Sequence, residues 1–214
     1  MRRMILVPCK RLNQGKSRLA SCIDAHDRRS LCERFLDCTL GVVRQIADNS
    51  LVRVITADPD AIAIARRHGV SVMLDEEGDL NAALTSARER ILVSYGDQND
   101  VELMVVPIDL PLATPEALCR VQSSQSDVVI VPDDHGSGTN VLLLRARAAR
   151  ELPFCFGPDS FQRHYTCAAE LNVSVDAIIG TPLSFDVDCP AQYARWIAMP
   201  RVDRAERRVL GPAA

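Results

Sequence analysis

Met4-Ile5-Leu6-Val7-Pro8-Cys9-Lys10-Arg11-Leu12-Asn13-Gln14-Gly15-Lys16-Ser17-Arg18-Leu19-Ala20 is the stretch on which the reading of the fold turns. Met4 to Val7 is apolar on both faces and closed by a proline, which reads as a strand buried on both sides of a sheet. The chain breaks at Pro8, and Lys10, Arg11, Lys16 and Arg18 then gather around Gly15, where a strand ends and a helix could begin. Backbone N–H groups and fixed positive charge together compensate a polyanion, so the loop reads as an address for polyphosphate. An ordinary cationic surface loop is the alternative that these residues alone leave open.

Gly15-Lys16-Ser17 copies the tail of a Walker A loop, but that motif needs a second glycine five positions ahead of the first, where this chain has Lys10. A P-loop ATPase or kinase is therefore disfavoured.

Outward from this stretch, strands and helices alternate. Leu31, Phe35, Cys38, Val42 and Ile46 form one apolar stripe, predicting a helix over Asp27–Ile46. Leu51–Ile55 and Val70–Leu74 are expected strands, with a helix between them that Asp58 caps and Pro59 starts. A helix opens at Asp79, Leu103–Ile108 is the strongest strand, and Thr114-Pro115 caps a helix leading to a strand over Asp127–Val131. This spacing implies an α/β fold, Rossmann-like, with a mostly parallel mixed sheet covered by helices on both faces. The connection from Pro132 to Val141 is too short for a crossover helix, so Val141–Leu144 is expected as a late antiparallel or edge insertion. Phe161–Leu171 is then expected as a helix, Val173–Val175 and Leu183–Asp188 as strands, and Cys189-Pro190 as the start of a last helix. Residues 1–199 are expected as one domain and 200–214 as a loosely held tail.

The balance of charge narrows the function. The chain has 214 residues, 47% of them hydrophobic, with 25 basic and 28 acidic side chains for a net charge of −3. No basic block marks a nucleic-acid footprint, and no apolar run reaches membrane-spanning length. Eight cysteines lie scattered without zinc-type spacing, which fits small apolar residues in a reducing cytoplasm. Cys9 alone, beside Lys10, stands where a thiolate would be favoured.

Three aspartates stand at expected strand ends. Asp109 follows the strongest strand, while Asp186 and Asp188 occupy alternate positions of a late one and so share a face. In an open α/β sheet the ligand crevice lies beyond the carboxyl ends of the strands, where distant carboxylates can converge on one hard cation such as Mg²⁺. The competing reading makes Asp109 a turn former and Asp188 a helix cap.

The motifs in order are Val7-Pro8-x-Lys10, Lys16-Ser17-Arg18-Leu19, Leu80-Asn81-x-Ala83-Leu84, Pro107-x-Asp109-Leu110-Pro111-Leu112, Pro132-Asp133, Gly138-Thr139-Asn140, Phe156-Gly157-Pro158-x-Ser160-Phe161 and Asp186-Val187-Asp188. Together they resemble the CofC/FbiD guanylyltransferases, nucleotide-diphospho-sugar-transferase-like enzymes of the molybdopterin-guanylyltransferase superfamily, over nearly the whole chain. The resemblance implies a guanylylated phospho-carboxylic acid as product, made for the deazaflavin coenzyme F-420 and passed to a downstream transferase. It implies that Pro8, Lys10, Lys16, Ser17, Arg18, Leu80 and Asn81 hold GTP, with Lys10, Lys16, Arg18 and Asp109 catalytic. Asp109, Asp186 and Asp188 would hold Mg²⁺, and Thr139, Gly157 and Ser160 would grip the acceptor's carboxylate. One position departs from the family: where its members commonly carry arginine after the loop aspartate, this chain has Asp134 and then His135, and His135 is expected to tune which acid fits.

The acceptor candidates are 3-phospho-D-glycerate, 2-phospho-L-lactate and phosphoenolpyruvate. Two other readings compete: a CTP- or molybdopterin-using relative, and a non-catalytic nucleotide- or phosphate-binding module. A homodimer is the default expectation for such a chain.

Overall fold

Strands that are apolar on every position need cover on both faces, and the chain supplies it with a helix after nearly every strand. The computed structural model describes residues 2–95 and 101–200. In order these are β1 (Arg2–Pro8), a 3-10 turn (Ser17–Ser21), α1 (Ala25–Val43), β2 (Val52–Ile55), α2 (Pro59–Arg67), β3 (Ser71–Met73), α3 (Leu80–Tyr95) and β4 (Val101–Val105). There follow α4 (Pro115–Ser123), β5 (Val128–Pro132), β6 (Thr139–Leu144), α5 (Ala146–Glu151), α6 (Ser160–Glu170), β7 (Val175–Ala177) and α7 (Pro190–Ala198).

The strands form one sheet in the order β3-β2-β1-β4-β6-β5-β7. β1 pairs in parallel with both β2 and β4, so the strand order reverses beside β1 and opens a crevice at the carboxyl ends of β1 and β4. β6 is antiparallel, as expected, but it is interior, hydrogen-bonded between β4 and β5. All its residues are buried, and Leu142, Leu143 and Leu144 are fully so, contributing roughly 1.5–3 kcal/mol each by leaving water.

Alternate residues of the strands feed two cores. Ile5, Val7, Val54 and Met104 meet α1, α2 and α4 on one face. Met4, Leu6, Leu103 and Val105 meet α3, α5 and α6 on the other. A third, smaller cluster of Leu19, Leu31, Phe35, Phe185 and Val187 packs against Tyr193 and Trp196 of α7. At the edge of the sheet away from the crevice, Glu102 accepts from Arg145 Nε at 2.8 Å and from Arg3 Nε at 2.5 Å, so this buried carboxylate is fully paired.

Several boundaries differ from expectation. α1 is capped by Asp24, whose carboxylate accepts from Asp27 N at 2.8 Å, so the helix begins before Asp27 and ends at Val43. α5 was not foreseen, because its small alanines carry little periodic signal. The strand expected at Val173–Val175 forms at Val175–Ala177. The strand expected over Leu183–Asp188 does not form: Pro182–Ser184 is a 3-10 turn started by proline and capped by the Thr181 hydroxyl. Phe185–Asp188 then lies outside any strand ladder. The expected tail lies, beyond Pro200, outside the described residues. Among the described residues no helix is long and apolar enough to cross a membrane.

Candidate active site

The loop after β1 turns back on itself, with Gln14 N and Gly15 N both donating to Arg11 O. Gly15 is required by packing: a Cβ there would stand 2.6 Å from Cys32 Sγ. Leu12 N donates to the buried Asp58, which also caps α2, so the loop is tied to the second crossover helix. Lys16 then adopts a left-handed conformation with φ 53°, unusual for a residue with a side chain.

This turn sends the Lys16 ammonium to Asp109 Oδ2 at 2.6 Å and Asp188 Oδ1 at 2.5 Å. Burial alone lowers the affinity of Lys16 for its proton, but the two carboxylates outweigh it and raise the pKa. Asp188 is held below the usual carboxylate range, because Lys16 and then Arg18 overcome its own desolvation. Arg18 Nη1 stands 3.9 Å from Asp188 Oδ2 and is largely exposed.

Asp186 and Asp188 reach the crevice by a different route from the one the sequence suggested. Val187 between them is fully buried in the third core, and its N–H donates to Asp109 O at 3.1 Å, so the flanking aspartates face the other way. Gln192 of α7 holds both: its Nε2 donates to Asp186 Oδ1 at 3.1 Å, and its Oε1 accepts from Asp188 N and Cys189 N. Burial, then the charges of Asp109 and Asp188, push Asp186 up to about 6.

Three carboxylates thus converge around one lysine, leaving negative charge that Lys16 does not fully offset. Oxygen donors in surplus charge suit a hard divalent cation, so the donor chemistry fits Mg²⁺. As they stand, no three acidic, histidine or cysteine side chains among the described residues are grouped to hold a metal ion, and Lys16 is bonded to two of the three carboxylates.

A second group of side chains gathers at the start of β6. The β4–β6 register pairs Val105 with Leu142, so Thr139 opens at the same edge of the sheet as Asp109. A bulge at Val131/Pro132 shifts the β5–β6 register there. Gly138 leaves room for Asp133, since a Cβ would stand 2.9 Å from its Oδ2. Thr139 N donates to Ser160 Oγ at 2.8 Å, and Thr139 Oγ1 lies 3.0 Å from His164 Nδ1. Gly157 has φ 122°, a conformation that favours glycine, and Ser160 begins α6, whose dipole favours an anion, with Ser160 N and Phe161 N already donating to Gly157 O and Ser137 O. Asn81 clamps this loop to α3: its Nδ2 donates to Phe156 O at 3.0 Å and its Oδ1 accepts from Phe156 N at 2.8 Å.

Lys16, Asp109, Asp186 and Asp188 are therefore brought together, as are Thr139, Ser160 and the Gly157 turn. Lys10, Ser17 and Arg18 line the exposed side of the first loop, Pro8 ends β1, and Leu80 packs on the second core. Asn81 engages the Phe156 backbone with its oxygen and one of its N–H groups, leaving a single N–H for any nucleoside. His135 is exposed at the tip of the β5–β6 loop, outside the Thr139–Ser160 group, and its charge acts on Asp133. Asp134 is compensated by Arg195 Nη1 at 2.8 Å, whose guanidinium also lies over the Phe185 ring. Cys9 is buried, and desolvation, then Cys32 and Asp58, push its thiol up to about 12, so the thiolate anticipated beside Lys10 is disfavoured. The sequence reading missed His164, Gln192 and Arg195. Each lies on a helix where a lone polar residue carries no spacing signal.

Comparison with known proteins identifies the family. The family described as guanylyl transferase CofC like matches residues 3–198. A phosphoenolpyruvate guanylyltransferase of Chloroflexus aurantiacus is 36% identical over 201 residues, covering 91% of this chain and 95% of the relative. Another of that name from Rubrobacter xylanophilus is 37% identical over 206 residues, covering 95% and 97%. Among solved structures, a putative nucleotide-diphospho-sugar transferase from Desulfovibrio desulfuricans superposes with a TM-score of 0.72 at 18% identity, covering 97% of this chain and 91% of the other.

Proposed function

The chain belongs to the CofC-like guanylyl transferase family, and from that premise we propose that it transfers GMP from GTP to a small phosphorylated carboxylic acid, releasing pyrophosphate. The observation that carries the reading is the meeting of Lys16 with Asp109 and Asp188 at the switch point of the sheet, at the same edge as the Thr139–Ser160 donors. Among the candidate acids, the names of the relatives favour phosphoenolpyruvate. The product, an activated phosphoanhydride, would serve a downstream transferase, and F-420 assembly is the route that the family resemblance suggests.

Phosphoryl transfer asks the protein for position and charge more than for covalent chemistry. The acceptor's carboxylate would rest on Thr139, Ser160 and the Gly157 turn, turning its phosphate towards the α-phosphorus of GTP. A phosphate oxygen of the acceptor attacks in line, the bond to the β-phosphate oxygen breaks, and pyrophosphate leaves. Lys16 and Arg18 offset the charge on the triphosphate as it shifts to the leaving group. No general base is required, since the attacking phosphate is already ionised near neutral pH. Asp109, Asp186 and Asp188 would hold Mg²⁺, which supplies Lewis-acid stabilisation of the phosphoryl oxygens.

Pyrophosphate release, measured with GTP or CTP and each acid in turn, with and without Mg²⁺, tests the proposal. Release that requires GTP, metal and an acid supports it. Ligand binding without turnover would favour a sensing module, and turnover with CTP in preference to GTP would favour the superfamily alternative.

A further inference from the structure

His164 has no exposed surface, and its ring nitrogens have distinct tasks. The backbone N–H of Cys155 donates to Nε2 at 2.9 Å. A backbone amide has only a proton to give, so Nε2 must present its lone pair, and the neutral imidazole then carries its hydrogen on Nδ1. Nδ1 lies 3.0 Å from Thr139 Oγ1 and also bonds the Ser160 backbone, so the hydroxyl accepts a share of that N–H and its own hydrogen is left for another partner. Ser160 has the same polarity, because its Oγ accepts from Thr139 N at 2.8 Å. Phe156 packs edge-on against the ring at 5.1 Å, and the Phe156 backbone is clamped by Asn81.

Both hydroxyls thus spend one lone pair on the protein and have a hydrogen to offer a ligand. Two O–H donors at the positive end of an 11-residue helix match the two oxygens of a carboxylate. We infer that His164 is a positioning residue: by donating from Nδ1 it orients the Thr139 hydroxyl so that its hydrogen is presented, beside Ser160, to the acceptor's carboxylate. The inference rests on the acceptor reading above and adds to it the residue that orients one of the pocket's donors.

Three measurements on the full chain test it. Nitrogen NMR of the free protein should show His164 as the neutral tautomer protonated on Nδ1; protonation on Nε2 overturns the inference whatever the enzyme does. Steady-state kinetics with phosphoenolpyruvate should give His164→Phe a KM for the acid raised tenfold or more, with the KM for GTP changed less than twofold. His164→Asn, which can still offer an N–H towards Thr139, should recover most of the loss and serves in its place should the Phe variant not fold. Thr139→Val, which removes the donor itself, should be at least as severe as His164→Phe, and the double variant should be no worse than Thr139→Val, because His164 acts only through that hydroxyl. Additive losses, or equal rises in both KM values, would mark His164 as structural only and overturn the proposal. Failure of the unsubstituted enzyme to turn over any acid would instead sink the acceptor reading, and the positioning role would fall with it.

Discussion

Lys16 Nζ stands 2.6 Å from Asp109 Oδ2, joining the turn after the first strand to the end of the fourth across 93 positions of chain. A second contact at 2.5 Å to Asp188 makes the ammonium the hub of the crevice. Replacing it with methionine keeps the bulk and removes the charge. Asp109 and Asp188 are part-exposed, so water screens the loss, and Lys16→Met should cost about 1–2 kcal/mol, or a few degrees in melting temperature. Turnover should fall a hundredfold or more. A variant that releases pyrophosphate at the normal rate would remove Lys16 from the mechanism.

Asp186 offers a change that separates stability from activity. Its folded pKa of about 6 lies above the ordinary value of 3.8, so its ionisation opposes folding: the stability is intact below pH 3.8 and is lost as pH rises through about 6. Asp186→Asn removes that penalty while its oxygen can still accept from Gln192. At pH 7.5 the variant should be more stable by about 1 kcal/mol after discounting for exposure, and should lose Mg²⁺-dependent turnover. Chemical denaturation and a magnesium titration check the two halves independently.

His164 makes an opposite contribution to acid stability. Burial, helped by the neighbouring Arg163 charge, lowers it from 6.5 to about 4, so it folds as the neutral ring. Its stabilising effect is complete above pH 6.5 and declines as pH falls towards 4, by roughly 3 kcal/mol over that window at ~1.4 kcal/mol per unit. His164→Phe should flatten the stability profile between pH 6.5 and 4 relative to the parent. Parallel profiles would show that the ring is not held neutral.

Gly15→Ala should destabilise the protein by about 1–3 kcal/mol, because the new methyl meets Cys32 Sγ at 2.6 Å in a buried contact. Cys32→Ala vacates that space, so the double variant should regain much of the loss. Thermal melts of the two single variants and the pair decide it, and equal destabilisation with and without Cys32 would contradict the packing account.

Asn81→Ala removes two hydrogen bonds to the Phe156 backbone and leaves that loop's N–H and C=O unpaired, at a cost of about 1–3 kcal/mol. Since the clamp supports the acceptor loop, the KM for the acid should rise more than the KM for GTP. A larger rise for GTP would return Asn81 to the nucleotide side.

Much of this was legible in the chain itself. The apolar run Met4–Val7, the Asp58-Pro59 and Thr114-Pro115 caps and the strand–helix alternation encode the layered sheet, because burial periodicity and capping are local properties. The motifs around Lys16, Asp109, Asp186 and Thr139 pointed to the site without its contacts. What the chain could not convey was which polar groups would bond to which. That Lys16 bridges two aspartates, that Asp186 and Asp188 face the crevice on a segment outside any strand ladder pinned by Val187, and that His164 sets the polarity of Thr139 all depend on partners distant in sequence. The sequence determined where apolar surface would be buried and hence the layers; the tertiary structure alone decided the hydrogen-bond partners, because direction and distance exist only once the elements have packed.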